Sequence, residues 1–187
     1  IQRRRIDDKR VQQALEEVAT RIQAMAAGQR RMNLDIQTDE VDGKPYIENL
    51  LDELRASMGD KKISIKSELA NLRLPGKDAV SYIILVNELV TNAMKHAFTP
   101  GMDGRIKVTM RKTHEADGEF VVITVEDDGI GNAGGDGKGL GKTVLRSLLQ
   151  SLDGELIREE LNPGAARPGY RAMMRMPLRL SVTESAA

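Results

Sequence analysis

Glu88, Asn92 and Lys95 recur at spacings of four and three residues inside an otherwise apolar stretch, Val80–Phe98. At about 100° per residue they fall within about 60° of one another on a helix, with His96 at the margin. A carboxylate, an amide and an ammonium left in a core without partners would be costly. They must line a cleft, pair internally (Glu88 with Lys95) or meet a ligand. Carboxylate and amide oxygens are hard ligands that suit Mg²⁺ and a water held near it. Lys95 and His96 suit phosphate oxygens.

A second group follows the apolar run Phe-Val-Val-Ile-Thr-Val (120–125): Asp127-Asp128-Gly129-Ile130-Gly131. A carboxylate at a strand end can accept a hydrogen bond from an exocyclic amine such as that of adenine. Glycines at 129 and 131 let the backbone approach a flat base. A third group, Gly137-Lys138-Gly139-Leu140-Gly141, opens a helical pattern that is expected to start near Lys142-Thr143. Backbone amides at a helix N-terminus favour phosphate. Either glycine segment alone reads as an ordinary loop. In this order, and on these elements, they describe a nucleotide pocket.

The elements that must position these groups can be read along the chain. Val11, Leu15, Val18, Ile22 and Met25 form a heptad seam, so residues 1–33 are expected to be one helix about 48 Å long. Such a helix needs a partner helix to bury its seam. Residues 34–44 read as a linker. Ile47, Leu50, Leu51, Leu54 and Met58 mark an amphipathic helix that stops at Gly59. Ile63 and Ile65 alternate with polar residues as a short strand. Pro75-Gly76 breaks the chain, Asp78 is the expected N-cap, and a long helix runs to about Phe98. Ile106, Val108 and Met110 begin a hairpin that turns at Asp117-Gly118 into the 120–125 run. Leu145, Leu148, Leu149 and Leu152 give a helix face. Glu155–Arg158 and a final strand with Ala172, Met174, Met176 and Leu178 on one face complete the order. The strands come in hairpin pairs, so the expected fold class is α+β: a two-layer sandwich of a mixed, mostly antiparallel sheet with helices on one face, preceded by a long coiled-coil-like helix. The expected domains are residues 1–38, 39–182 and a short tail, 183–187.

Composition narrows the function. The 28 basic and 28 acidic residues cancel, which leaves no electrostatic footprint for nucleic acid or a membrane surface. The absence of cysteine removes disulfides, thiolate zinc sites and cysteine nucleophiles, and fits a cytoplasmic, reducing setting. No apolar run approaches the roughly 20 residues of a membrane helix. His114 reads as a solvated loop residue, and Met173, Met174 and Met176 as strand packing.

With these motifs in place, the chain resembles the GHKL ATPases, which share the Bergerat fold. Asn87–Phe98 is similar to their N box, Asp127–Gly131 to the Asp-x-Gly-x-Gly G1 box, Gly137–Gly141 to the G2 box, and Pro168-Gly169-Tyr170-Arg171 to the final glycine motif. The pattern Asn-Glu-Leu-Val-Thr-Asn-Ala-Met-Lys-His-Ala-Phe resembles bacterial sensor histidine kinases of the second dimerisation type, relatives of the HWE group. Tyr170 stands where that motif usually has Thr, and the chain has no Trp. The resemblance implies ATP and Mg²⁺ as cofactors. It implies that Glu88 acts near the γ-phosphate, that Asn92 holds the metal, and that Lys95 and His96 contact phosphates. Asp127 would bind the adenine amine in a pocket shaped by Gly129 and Gly131, with Gly139, Leu140, Gly141, Lys142 and Thr143 on the phosphate side. The implied activity is γ-phosphoryl transfer to a histidine outside this chain. The implied partners are a response regulator receiver domain and a second copy, paired through the N-terminal helix. Two rivals are an anti-sigma-type serine kinase, which needs no heptad helix, and a phosphotransfer or phosphatase scaffold with a vestigial ATP site, which would have lost Glu88, Asn92 and Asp127.

Overall fold

A computed structural model describes residues 40–59, 62–131 and 140–179. The heptad helix, most of the linker, the five residues between the glycine boxes and the tail lie outside the described residues.

The chain runs β1 (Glu40–Asp42), α1 (Gly43–Ser57), β2 (Ile63–Leu69), β3 (Arg73–Pro75), α2 (Gly76–His96), β4 (Gly104–Glu115), β5 (Gly118–Asp127), α3 (Leu140–Ser151), β6 (Glu155–Glu160) and β7 (Tyr170–Pro177). Five strands form one sheet in the order β2-β4-β5-β7-β6, and β1 and β3 form a separate pair. Among the described strands only β2 and β4 run parallel; α2 is part of their crossover. The other contacts in the sheet are antiparallel. This is the mixed, mostly antiparallel α+β sandwich expected from the hairpin pairs.

Period-two alternation fixes which face each strand buries. Ile106, Val108 and Met110 of β4, Val121, Ile123 and Val125 of β5, and Ala172, Met174 and Met176 of β7 all point to one core. Ile47 and Leu51 of α1, Tyr82, Leu85 and Val86 of α2, and Leu145 and Leu149 of α3 close that core from the helical side. The methionines at 174 and 176 are fully buried packing residues. Met173, on the other face, is only partly buried.

Three boundaries differ from expectation. Residues 40–44 are not linker: Glu40–Asp42 pairs with Arg73–Pro75, and the Asp42 side chain accepts a hydrogen bond from the Lys44 amide at 3.1 Å, capping α1. A three-residue strand carries no readable periodicity. At the start of α2 the capping position is Pro75 rather than Asp78, with no side-chain cap, and Asp78 lies in the first turn. There its charge still complements the positive end of the helix dipole. Finally, α3 starts at Leu140, two residues before the expected Lys142.

Candidate nucleotide-binding site

The polar stripe on α2 descends from buried to exposed. Glu88 is only 5 % accessible and Asn87 beside it 4 %, whereas Asn92, Lys95 and His96 are exposed. Glu88 and Lys95 each have a polar partner. Lys95 and His96 also fall in the last turn, where cations offset the negative end of the helix dipole.

Asp127 is the last residue of β5, in register with Ile106 of β4 and Tyr170 of β7. It faces the helical layer and is 7 % accessible. Burial pushes its carboxyl up from the ordinary 3.8 to about 6; the backbone amide of Gly129 pulls it down, the neighbouring Asp128 charge raises it, and the Tyr170 amide lowers it. The Gly129 amide donates to Asp127 Oδ1 at 3.0 Å. The folded chain thus holds this proton more tightly than the unfolded chain. Its contribution to folding is present below pH 3.8 and is lost as pH rises to about 6. A ligand that needs the carboxylate follows the opposite trend. Affinity for such a ligand is expected to rise through about pH 6 and level off above it. Calorimetric titrations with ADP between pH 5 and 8, corrected for the ligand's own ionisation, would show a flat profile if Asp127 were not engaged.

The strand end and the α2 stripe meet at one residue. Ala97 caps the C-terminus of α2, and its carbonyl accepts the Ile130 amide at 2.9 Å. A Cβ at Gly129 would lie 2.7 Å from the Ala97 carbonyl carbon and 2.8 Å from its Cβ, and closer still to its oxygen. Gly131 has φ +80 and packs against Pro168 and the Glu160 carboxylate. Close approach by a base is the expectation for these glycines; in the structure both are also packed tightly between chain segments.

Asp128, the second acid, is held by other segments of the chain. Its Oδ1 accepts the Arg105 amide at 2.7 Å and an Arg167 guanidinium N–H at 3.2 Å. Arg167 also donates to the Asp128 carbonyl at 2.9 Å and the Asp103 carbonyl at 3.0 Å. Sequence reasoning missed Arg167, because a lone Arg in a Pro/Gly-rich loop carries no signal of contacts 39 and 64 residues away.

Of the phosphate-side candidates, Gly139 lies outside the described residues. Leu140, Gly141 and Lys142 form the first turn of α3, and Thr143 after them is exposed. His114 is exposed in the β4–β5 hairpin, 3.6 Å from Glu119, as expected for a solvated residue. No helix among the described residues is long and apolar enough to cross a membrane.

Residues 77–180, more than half of the chain, match the family described as histidine kinase-, DNA gyrase B- and HSP90-like ATPase. The chain belongs to this ATPase family. Residues 1–58 match a second family, described as histidine kinase. The chain is similar to blue-light-activated histidine kinase 2 of Erythrobacter litoralis, 31 % identical over 106 residues, covering 52 % of this chain and 28 % of that protein. It is also similar to the sensor histidine kinase PdtaS of Mycobacterium tuberculosis, 26 % identical over 189 aligned positions, covering 95 % of this chain and 35 % of that protein. The chain therefore spans about a third, or less, of the length of these relatives. Among solved structures, the histidine kinase domain of the Erythrobacter litoralis EL346 blue-light activated kinase superposes with a TM-score of 0.69 at 23 % identity, over 86 % of this chain and 74 % of that one. The chain thus joins a region of this ATPase family to a segment that matches a histidine kinase family.

Proposed function

We propose that this chain positions MgATP for transfer of its γ-phosphoryl group to a histidine outside residues 1–187. The observation that carries the reading is the buried Asp127 carboxyl, joined through Ala97 to the polar stripe of α2. Asp127 accepts the adenine amine. Gly129 and Gly131 hold the loop that bounds the base. Glu88 lies near the transferred phosphorus, and Lys95 and His96 reach phosphate oxygens. Gly139, Leu140, Gly141, Lys142 and Thr143 supply amides and side chains on the phosphate side. Positioning and charge stabilisation account for most of the catalysis in such transfers.

Among the described residues no three His, Asp or Glu side chains cluster as a metal cage. Asn92 offers an amide oxygen one turn from the Glu88 carboxylate. That sparse oxygen set fits Mg²⁺, which keeps several waters and takes phosphate oxygens for the rest of its shell. When bound, the ion neutralises charge on the phosphates.

The chain holds two histidines, His96 and His114, and neither falls within residues 1–58, the histidine kinase match. This supports an acceptor carried elsewhere. The proposed partners are a response regulator receiver domain and a second copy of the chain, paired through the heptad seam of residues 11–25, with no nucleic acid and no membrane contact by this segment. The proposed setting is the cytoplasm. Light scattering of a protein that carries the partner helix is expected to report a dimer, and a strict monomer at high concentration would remove the seam's role.

The direct test is Asp127→Asn. A hydrogen bond to a charged acceptor contributes roughly 1.5–3 kcal/mol, so ATP affinity is expected to fall about 10- to 150-fold with the fold retained. Unchanged affinity in calorimetric titration would sink the base-pocket assignment.

A further inference from the structure

Three chain segments converge behind the pocket: the α2–β4 connection (97–103), the β5 end (127–131) and the β6–β7 loop (161–169). Arg167 bonds to two of them from the third. Its Nε donates to the Asp128 carbonyl at 2.9 Å. Its Nη2 donates to the Asp103 carbonyl at 3.0 Å and to Asp128 Oδ1 at 3.2 Å. The same loop is held by the Gly169 amide on the Gly129 carbonyl at 3.1 Å.

The Asp128 carbonyl and the Gly129 amide belong to one peptide group. Because that group is planar, fixing its C=O fixes its N–H on the opposite side. That N–H is the one that donates to Asp127 Oδ1 at 3.0 Å. Arg167 thus grips one end of a rigid plate whose other end holds the Asp127 carboxylate. It also sets a positive charge beside Asp128, the residue that follows Asp127. A guanidinium suits this task because its planar fork places several donors at fixed angles, which an ammonium cannot do.

We propose that Arg167 is a positioning residue for base recognition, acting through the Asp128–Gly129 peptide to orient the Asp127 carboxylate. The proposal rests on the nucleotide-pocket reading and extends it to a residue more than 35 positions away in the chain. It concerns selectivity for the base rather than phosphoryl transfer.

The experiment compares ADP with inosine diphosphate, which lacks the exocyclic amine. Dissociation constants for both are measured by NMR titration on the wild-type chain, on Arg167→Met and on Arg167→Lys. The wild-type chain is expected to prefer ADP by at least roughly ten-fold, as one charged hydrogen bond would give. In Arg167→Met that preference is expected to shrink by about five-fold. Arg167→Lys is expected to lie between the two, since it keeps the charge and loses the fork. General loosening of the fold would weaken both nucleotides alike and leave their ratio unchanged. A ratio in both variants equal to the wild-type ratio overturns the proposal and leaves the pocket standing. A wild-type chain with no preference for ADP over inosine diphosphate overturns the pocket reading and this proposal with it. The Arg167 side chain is 43 % exposed, so the substitutions remove no core packing, and the lysine variant keeps the charge at the loop.

Discussion

Glu88→Ala is expected to cut phosphoryl transfer by on the order of 10²-fold or more while ATP affinity stays within a few-fold. Glu88 is almost fully buried one turn before the exposed Asn92 on α2. It therefore lies deeper than Asn92, Lys95 and His96, the proposed ligand contacts on the same helix. An interaction realised mainly in the transition state lowers the transfer rate when removed and leaves ground-state binding nearly intact. A 10²-fold loss corresponds to about 2.7 kcal/mol, within reach of one carboxylate in a water-poor site. Asn92→Ala should behave differently: in the proposed reading its amide oxygen would hold the metal in the ground state, so Mg²⁺-dependent ATP binding is expected to weaken and transfer to be abolished. The assay supplies a separate histidine-bearing helical domain and follows radiolabel from γ-labelled ATP onto it. Near-normal transfer by Glu88→Ala would leave Glu88 as a structural partner within α2. Tight ATP binding by the unmutated chain with no label on any such domain would favour a scaffold with a vestigial site.

Gly129→Ala is expected to be strongly destabilising. Gly129 does not have a positive φ, so the requirement is one of space. The added methyl would press on backbone atoms of Ala97, with the carbonyl carbon at 2.7 Å. Backbone at a helix cap cannot swing aside as the end of a long side chain can. Overpacking of this kind costs about 1–3 kcal/mol, and occasionally more; here about 3 kcal/mol is expected, a fall in Tm on the order of 10 °C. The useful control is Gly101→Ala. Gly101 has φ +82 and no neighbour within 4 Å of an added Cβ, so only the backbone penalty of about 1–2 kcal/mol applies. Thermal unfolding that ranks Gly101→Ala as the worse of the two would refute the steric account.

The sandwich was legible because its core strands alternate cleanly. Ile106, Val108 and Met110, and Ala172, Met174 and Met176, were expected on one face and are buried there. The motif residues were legible because side-chain chemistry recurred at helical spacing. What escaped was long-range or too short to be periodic. The β1–β3 ladder has three residues a side and joins segments more than 30 residues apart. The parallel pairing of β2 with β4 depends on a crossover that no local pattern encodes. The roles of Gly129 and Asp128 depend on Ala97, Arg105 and Arg167, which reach them only after folding. Asn87 was read as part of the N-box pattern, but its burial beside Glu88 follows from the packing of α2.

The outer face of the sheet holds apolar side chains, yet none of the described helices joins the core through it. Phe120, Val122 and Thr124 point away from the helical core and are still 4, 4 and 6 % accessible. Their cover includes Arg175, whose guanidinium lies 3.4 Å above the Phe120 ring centroid and is gripped by Glu115 at 2.6 Å and Glu155 at 3.2 Å. Arg171, four residues earlier on β7, likewise spans Glu126 and Glu159. Among the described residues, the Phe120 ring on this face is covered by one tethered guanidinium rather than by a helix. Side-chain rotamer changes of such a cation are far faster than any unfolding event.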